Sequence, residues 1–367
     1  MSRERIGTNE AIFLTVAAMI EVGTLTGARD IAIKVGVDTW LVSPLETVAS
    51  LGAIYLLTRL AMQFPHLDLV GYSRQLAGRW LAWVLGLIVL IYWVSLAAEV
   101  GRVTTDTVKN SLLSRTPDAA VLVSFLLVAA YMAARGIEPL ARASVIIVIV
   151  SLPLIFLLFA QVIPRIHLDN FLPILPHGPW PVLKLAVWRI SNAEEISLFL
   201  ILVPFLQEPR QAWRAASYGY LLVMVVVITV ITTCQGVLGV ELLKYTLIPG
   251  LTVTHLAEFA GAFIERISLI FVFLWIILVF PTVAALLWAS SYLLGRLLNL
   301  QNYRMLAFYQ LPVVYYLAQR PSNIFAVKDF FFFLQPLGLV VLVGIPALLS
   351  LIAFFRFKRR IKGRGKP

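Results

Sequence analysis

Charge is what this 367-residue chain has least of. Asp, Glu, Lys and Arg make up 13% of it, about half the ~25% usual in a soluble domain. That shortage excludes a soluble globular enzyme, and the apolar content excludes a disordered chain. Cys234 is the single cysteine, so no internal disulfide can form and a secreted disulfide scaffold is excluded. Histidine is sparse as well. His66, His167, His177 and His255 are scattered over loops without metal-ligand spacing, so no metal site is expected. There is no G-x-S-x-G, no phosphate-binding P-loop and no G-x-G-x-x-G. Neither an enzyme nor a cofactor is expected.

What is there is apolar. Hydrophobic residues are 60% of the chain and mean hydropathy is +0.90. An excess on this scale needs lipid as its solvent, so the chain reads as an all-α integral membrane protein, one transmembrane domain over residues 1–367. With ~20 apolar residues per span, ten spans follow: 11–34, 40–62, 80–100, 119–135, 141–163, 183–206, 215–238, 265–294, 304–319 and 335–356. Residues 164–182 carry five prolines and cannot be one helix. Residues 239–264 read as an amphipathic segment broken by Pro249-Gly250.

The net charge of +11 is concentrated at the end. Seven basic residues from Arg356 to Lys366 form a tail over 356–367. No aromatic stacking platform accompanies it, so it reads as a stop-transfer anchor near anionic lipid and not as a nucleic-acid contact. With both termini cytoplasmic, eighteen basic residues fall inside and eleven outside, the bias that orients a multi-pass protein.

The ten spans divide into two sets of five, approximately 10–163 and 183–357, the second inserted upside down. The first span of each set has a polar middle: Glu21-Val22-Gly23-Thr24-Leu25-Thr26-Gly27 in one, Arg189-Ile190-Ser191-Asn192-Ala193-Glu194-Glu195 in the other. Interrupted helices at matching places in inverted halves point to a transporter-type site. Glu195 lies roughly 17 Å from either end of its span and Glu21 ~15 Å from the start of its own. A charge at the bilayer centre costs ~2.5–3.5 kcal/mol at least, so these acids should face the bundle interior. Glu21, Glu194 and Glu195 are candidate proton carriers or partners of a ligand ammonium, or else members of internal ion pairs with Arg189 or Arg29. Gly23, Thr24, Thr26 and Gly27 read as an unwound segment whose free N–H groups would hold a carboxylate, unless the two glycines serve close helix packing. Freed carbonyls near Ser191, Asn192 and Ala193 would receive an ammonium. Tyr92 and Trp275 are candidate cavity walls or core packing. Together these residues would bind a zwitterion at the midplane.

Several stretches resemble a known family. They are Ile264-Glu265-Arg266 running into Leu274-Trp275-Ile276-Ile277, Phe64-Pro65 followed by Leu76-Ala77-Gly78-Arg79-Trp80, Val108-Lys109 with Arg115-Thr116-Pro117, Ala193-Glu194-Glu195, and the basic Lys358-Arg359-Arg360-Ile361 end. In order and spacing they are similar to the spore-germination permeases, the B subunits of nutrient germinant receptors. The resemblance implies the amino acid–polyamine–organocation (APC) superfamily fold, LeuT-like, with broken first helices. It implies an amino acid ligand in the membrane-embedded cavity, partner A and C subunits, and a place in the bacterial cell membrane or spore inner membrane. Where family members carry a Gly-x-Gly in the first span followed by Leu-Pro, this chain has Glu21 and Ala28. A ligand with an additional cationic group would suit Glu21. A proton-coupled amino acid permease and a scaffold subunit with a vestigial cavity remain alternatives, because all three share a fold.

Overall fold

The computed structural model describes residues 4–20, 22–255, 267–321, 330 and 334–364. Glu21, the side chain of Thr24 and the Ile264-Glu265-Arg266 motif lie outside the described residues. In lipid, each segment must satisfy its own backbone polar groups, and for long apolar runs the helix does so. The chain forms α1 (Thr8–Met19), α2 (Val22–Val35), α3 (Thr39–Gln63), α4 (Leu69–Ala77), α5 (Arg79–Ser111), α6 (Asp118–Arg135), α7 (Ile137–Ala160), α8 (Trp180–Trp188), α9 (Phe199–Leu202), α10 (Ala212–Tyr245), α11 (Pro249–His255), α12 (Ile267–Leu298), α13 (Leu306–Tyr309), α14 (Leu311–Gln319) and α15 (Ile345–Arg364). Leu334–Arg356 forms the last apolar stretch, with a π turn at Val340–Gly344. Among the described residues, 7 helical stretches are long and apolar enough to cross a membrane. The chain is a multi-pass membrane protein.

Three of the ten expected segments are not single long helices, and each has a backbone reason. Segment 11–34 is split between α1 and α2, where Ile20 leaves helical geometry at φ −81° and ψ 86°. Segment 183–206 is interrupted by 3-10 turns at Arg189–Asn192 and Glu194–Leu198. Segment 304–319 is divided at Gln310, with Pro312 in the first turn of α14. The segment read as starting at residue 239 remains helical to Tyr245, with a kink at Gly239 (φ 67°, ψ 162°).

Long-range contacts sort the connections into two ends. At the N-terminal end, Ile6 pairs with the Phe205–Gln207 backbone through two 2.9 Å hydrogen bonds. Glu4 accepts the Ile137 N–H at 2.8 Å and pairs with Arg304. Asp68 caps α4 through Gly71 N–H (2.8 Å) and accepts from Tyr292 (2.7 Å) and Arg296 (2.5 Å). At the opposite end, the buried Gln235 amide donates to the carbonyls of Val37 (2.7 Å) and Asn170 (3.0 Å) and accepts from Trp40 N–H (3.0 Å). Asp38 accepts from Leu175 N–H at 2.7 Å, and Lys109 pairs with Asp118.

The centre is built from α1, α3, α5, α10 and α12, which pack as α5 on α12, α3 on α10 and α1 on α10. Small residues set these approaches, as they do where helices associate in lipid. A Cβ added at Gly219 of α10 would lie 2.6 Å from Thr15 Cβ and 3.0 Å from the Ile12 carbonyl oxygen of α1. A Cβ at Gly86 of α5 would lie 2.8 Å from Leu297 of α12.

Candidate functional site

The two broken segments meet in the middle of the bundle. The α1–α2 break leaves carbonyls without helical partners, and Thr282 of α12 donates its hydroxyl to one of them, Ala17, at 3.2 Å. The 3-10 run between α8 and α9 is held from four sides. Arg189 Nε donates to Glu46 of α3 at 2.7 Å. Trp93 of α5 donates to Ser197 Oγ at 2.7 Å. Trp188 donates to Gln335 at 2.9 Å, and Tyr72 of α4 donates to the Leu200 carbonyl at 3.3 Å. Side chains thus replace order that a continuous helix would have given, which is how broken helices persist inside a membrane protein.

The chemical centre is the Arg189–Glu46 pair. Both side chains are buried, with exposures of 10% and 4%. With the Asn192 amide oriented oxygen-first, it accepts from Arg189 Nη2 at 2.9 Å and Nη1 at 3.2 Å. Gly27 packs beside the guanidinium: a Cβ there would sit 3.7 Å from Arg189 Nη2. A cavity of about 30 Å³ opens next to the pair, walled by Met19, Gly23, Glu46, Arg189, Asn192 and Tyr220 among others. That is room for about one water.

The structure corrects the reading of residues 23–27 as unwound. Gly23, Thr26 and Gly27 are helical, in the opening turns of α2, and the discontinuity lies upstream at Ile20. Two glycines cost a helix only about 1 kcal/mol each, and here they let α2 lie close to Arg189 and the cavity. The positive end of the α2 dipole faces the break.

The second polar patch lies in the 3-10-wound middle of its segment. Ser191, Ala193, Glu194 and Glu195 are all buried, and Asn192 reaches the cavity. Tyr92 is buried, and Glu194 and Glu195 act electrostatically on its hydroxyl. Gly338 leaves room for that hydroxyl: a Cβ there would lie 2.6 Å from Tyr92 Oη and 3.4 Å from Ser191 Cβ. Trp275 is buried in the core, and neither it nor Tyr92 borders the cavity. The counter-ion of Arg189 is Glu46, which sequence reasoning passed over. The signal was available, because Glu46 is an acid inside an apolar segment, the same criterion that selected Glu195. Arg29 lies 3.9 Å from Asp30 and donates to the Lys244 carbonyl at 3.0 Å.

The fold and the broken central segments define a class. The structure resembles MhsT in complex with L-phenylalanine with a TM-score of 0.71 at 15% identity, covering 97% of this chain and 90% of that one. It resembles Mhp1, a nucleobase-cation-symport-1 family transporter with bromovinylhydantoin bound, with a TM-score of 0.66 at 12% identity, covering 93% and 78%. The fold is the one seen in those two proteins. Residues 5–326 match the family described as "Spore germination protein", the spore permeases, and the chain belongs to that family. It is 25% identical to spore germination protein YndE of Bacillus subtilis over 96% of this chain and 97% of that protein. It is 22% identical to B2 of Bacillus subtilis over 100% and 99%, and 24% identical to GerLB of Bacillus cereus over 99% and 98%.

Proposed function

We propose that this chain is the B-type subunit of a nutrient germinant receptor, and that it senses a small zwitterion, an amino acid, at the junction of its two broken segments. The observation that carries the reading is a buried cation, Arg189, on a 3-10 turn at the bundle centre, neutralised from within by Glu46 beside a cavity of about 30 Å³. The ligand carboxylate takes Arg189 and the positive end of α2 at Gly23 and Thr24, with Thr26 and Gly27 one turn further along the same helix. The ammonium goes to the side of Ser191, Asn192, Ala193, Glu194 and Glu195, with Glu21 available to a second cationic group. Tyr92 and Trp275 wall the widened pocket.

The small cavity bears on mechanism. A ligand larger than a water must favour a wider arrangement. The difference in its affinity for the two arrangements is the energy that shifts the equilibrium. Partner subunits of the A and C types read that shift. The accompanying topology is ten crossings in two inverted sets, 10–163 and 183–357, with both termini and the 356–367 tail cytoplasmic and the whole in the spore inner membrane. Contacts between α2 and α8, α3 and α10, α5 and α12, and α6 and α14 support the division into two sets, since these pair equivalent segments. A proton-coupled permease is the second reading, favoured by the buried carboxyls Glu46, Glu194 and Glu195.

The test uses the purified full-length chain in proteoliposomes with single labelled L-amino acids. Saturable binding that Arg189→Gln removes, without concentrative uptake, is the expected result. Concentrative uptake under an imposed pH gradient would overturn the receptor reading in favour of the permease. Neither binding nor uptake across the amino acids would leave the scaffold.

A further inference from the structure

A second concavity lies away from the broken centre, and it is much larger. A groove of about 930 Å³ runs between the end of α2, the length of α8 and the π turn of the last segment. Its volume is at the upper end of the roughly 300–1,000 Å³ of ordinary ligand pockets. The walls are apolar: Val35, Leu183, Val187, Trp188, Leu339 and Val343 are representative. Among the lining residues only Lys34 and Lys184 are charged, and there is no acid. Both lysines are exposed, as are Val187 and Gly344 along the groove, so it opens outward from the bundle, toward the surrounding lipid. Near Lys34, Arg189 adds positive charge and Asp30 negative, and Asp30 lies 3.9 Å from Arg29. With Arg189 paired to Glu46 and Asp30 beside Arg29, the uncompensated charge at the mouth is that of Lys34 and Lys184.

An open apolar groove in a membrane protein is filled by acyl chains. What distinguishes this one is two ammonium groups at its rim with no carboxylate lining it. We propose that the groove is a binding site for an anionic phospholipid. One acyl chain lies along Leu339–Val343 and Val187, and the phosphate sits between Lys34 and Lys184. Lysines that only snorkel to the interface would hold zwitterionic and anionic lipids alike, and that is the competing account. The groove also touches the mechanism's centre. Trp188 and Ile190, which line it, flank Arg189 in sequence, so lipid in the groove lies against the 3-10 turn that carries Arg189.

The experiment is native mass spectrometry of the full-length chain, titrated with phosphatidylglycerol or with phosphatidylcholine of the same acyl chains. Wild-type protein is expected to retain phosphatidylglycerol selectively. A basic residue near anionic lipid contributes ~1 kcal/mol, roughly fivefold in affinity, so Lys34→Gln with Lys184→Gln should weaken phosphatidylglycerol binding about twenty-five-fold and leave phosphatidylcholine unchanged. The charge-preserving pair Lys34→Arg with Lys184→Arg should restore selectivity. Gly344→Leu should lower binding of both lipids, because its new side chain enters the groove; a Cβ there meets nothing closer than 3.7 Å, so the fold is not threatened. Equal retention of the two lipids by wild type, or unchanged selectivity in the glutamine pair, would overturn the proposal.

Discussion

Replacing Glu46 by methionine leaves the Arg189 guanidinium inside the bundle without its counter-charge. The pair is direct, 2.7 Å from Nε to Oε2, with side-chain exposures of 10% and 4%. At an effective dielectric of ~20 and a charge separation of ~4 Å, the attraction is roughly 4 kcal/mol. Each ion also lost its hydration on burial, so removing one partner costs about 3–5 kcal/mol, while removing both is close to neutral. Asn192 retains contact with Arg189 and softens the Glu46→Met cost, but a guanidinium cannot shed its proton whereas a stranded carboxylate can take one up, so Glu46→Met should be the worse single variant. The assay is reversible unfolding in mixed detergent micelles for wild type, Glu46→Met, Arg189→Met and the double variant. The double variant should be more stable than either single, with a coupling of about 3 kcal/mol or more. Singles that add within ~0.5 kcal/mol would refute the claim that the two charges depend on one another. The stable double variant should also have lost amino acid binding, separating the pair's role in recognition from its role in folding.

Two further outcomes follow from the packing. Gly219→Val should destabilise by about 1–3 kcal/mol or more, because its Cβ would meet Thr15 Cβ at 2.6 Å and the unyielding Ile12 carbonyl at 3.0 Å; a stability equal to wild type in the same micelle titration would show that α1 and α10 separate freely. Asp68→Ala should cost about 2–3 kcal/mol, the sum of a lost helix cap and a lost hydrogen bond from Tyr292. Arg296 adds little since its side chain is 49% exposed. Asp68→Asn, which keeps the cap oxygen, should lose less than half of that, and equal losses would count against the cap.

Most of the architecture was legible because lipid imposes a blunt rule on sequence: length and apolarity locate a span whatever its neighbours are. The breaks were legible for the same reason, since Glu21 and the Arg189–Glu195 patch stand out against apolar surroundings. Position within a break was harder. Gly23 and Gly27 look like helix breakers in isolation, yet α2 keeps them helical, because tertiary contact with Arg189 compensates a small propensity cost. The Arg189–Glu46 pairing joins residues 143 apart, and no local pattern records such a distance. Nor does composition report volume. The polar patches suggested a pocket of amino acid size where the structure has about 30 Å³, while the 930 Å³ groove is lined by residues that read as ordinary span.

The 3-10 turns at the centre also make one segment a ruler of adjustable length. Arg189–Asn192 contributes four residues and Glu194–Leu198 five, all wound more tightly than an α-helix. A 3-10 residue advances ~2.0 Å and an α residue ~1.5 Å, so rewinding both turns would draw the ends of the segment together by about 4.5 Å. One of those ends is tied to the N-terminus, where Leu206 bridges Ile6. A change of pitch beside Arg189 would therefore pull on the strap at the end of the molecule that carries the N-terminus, without any helix having to tilt.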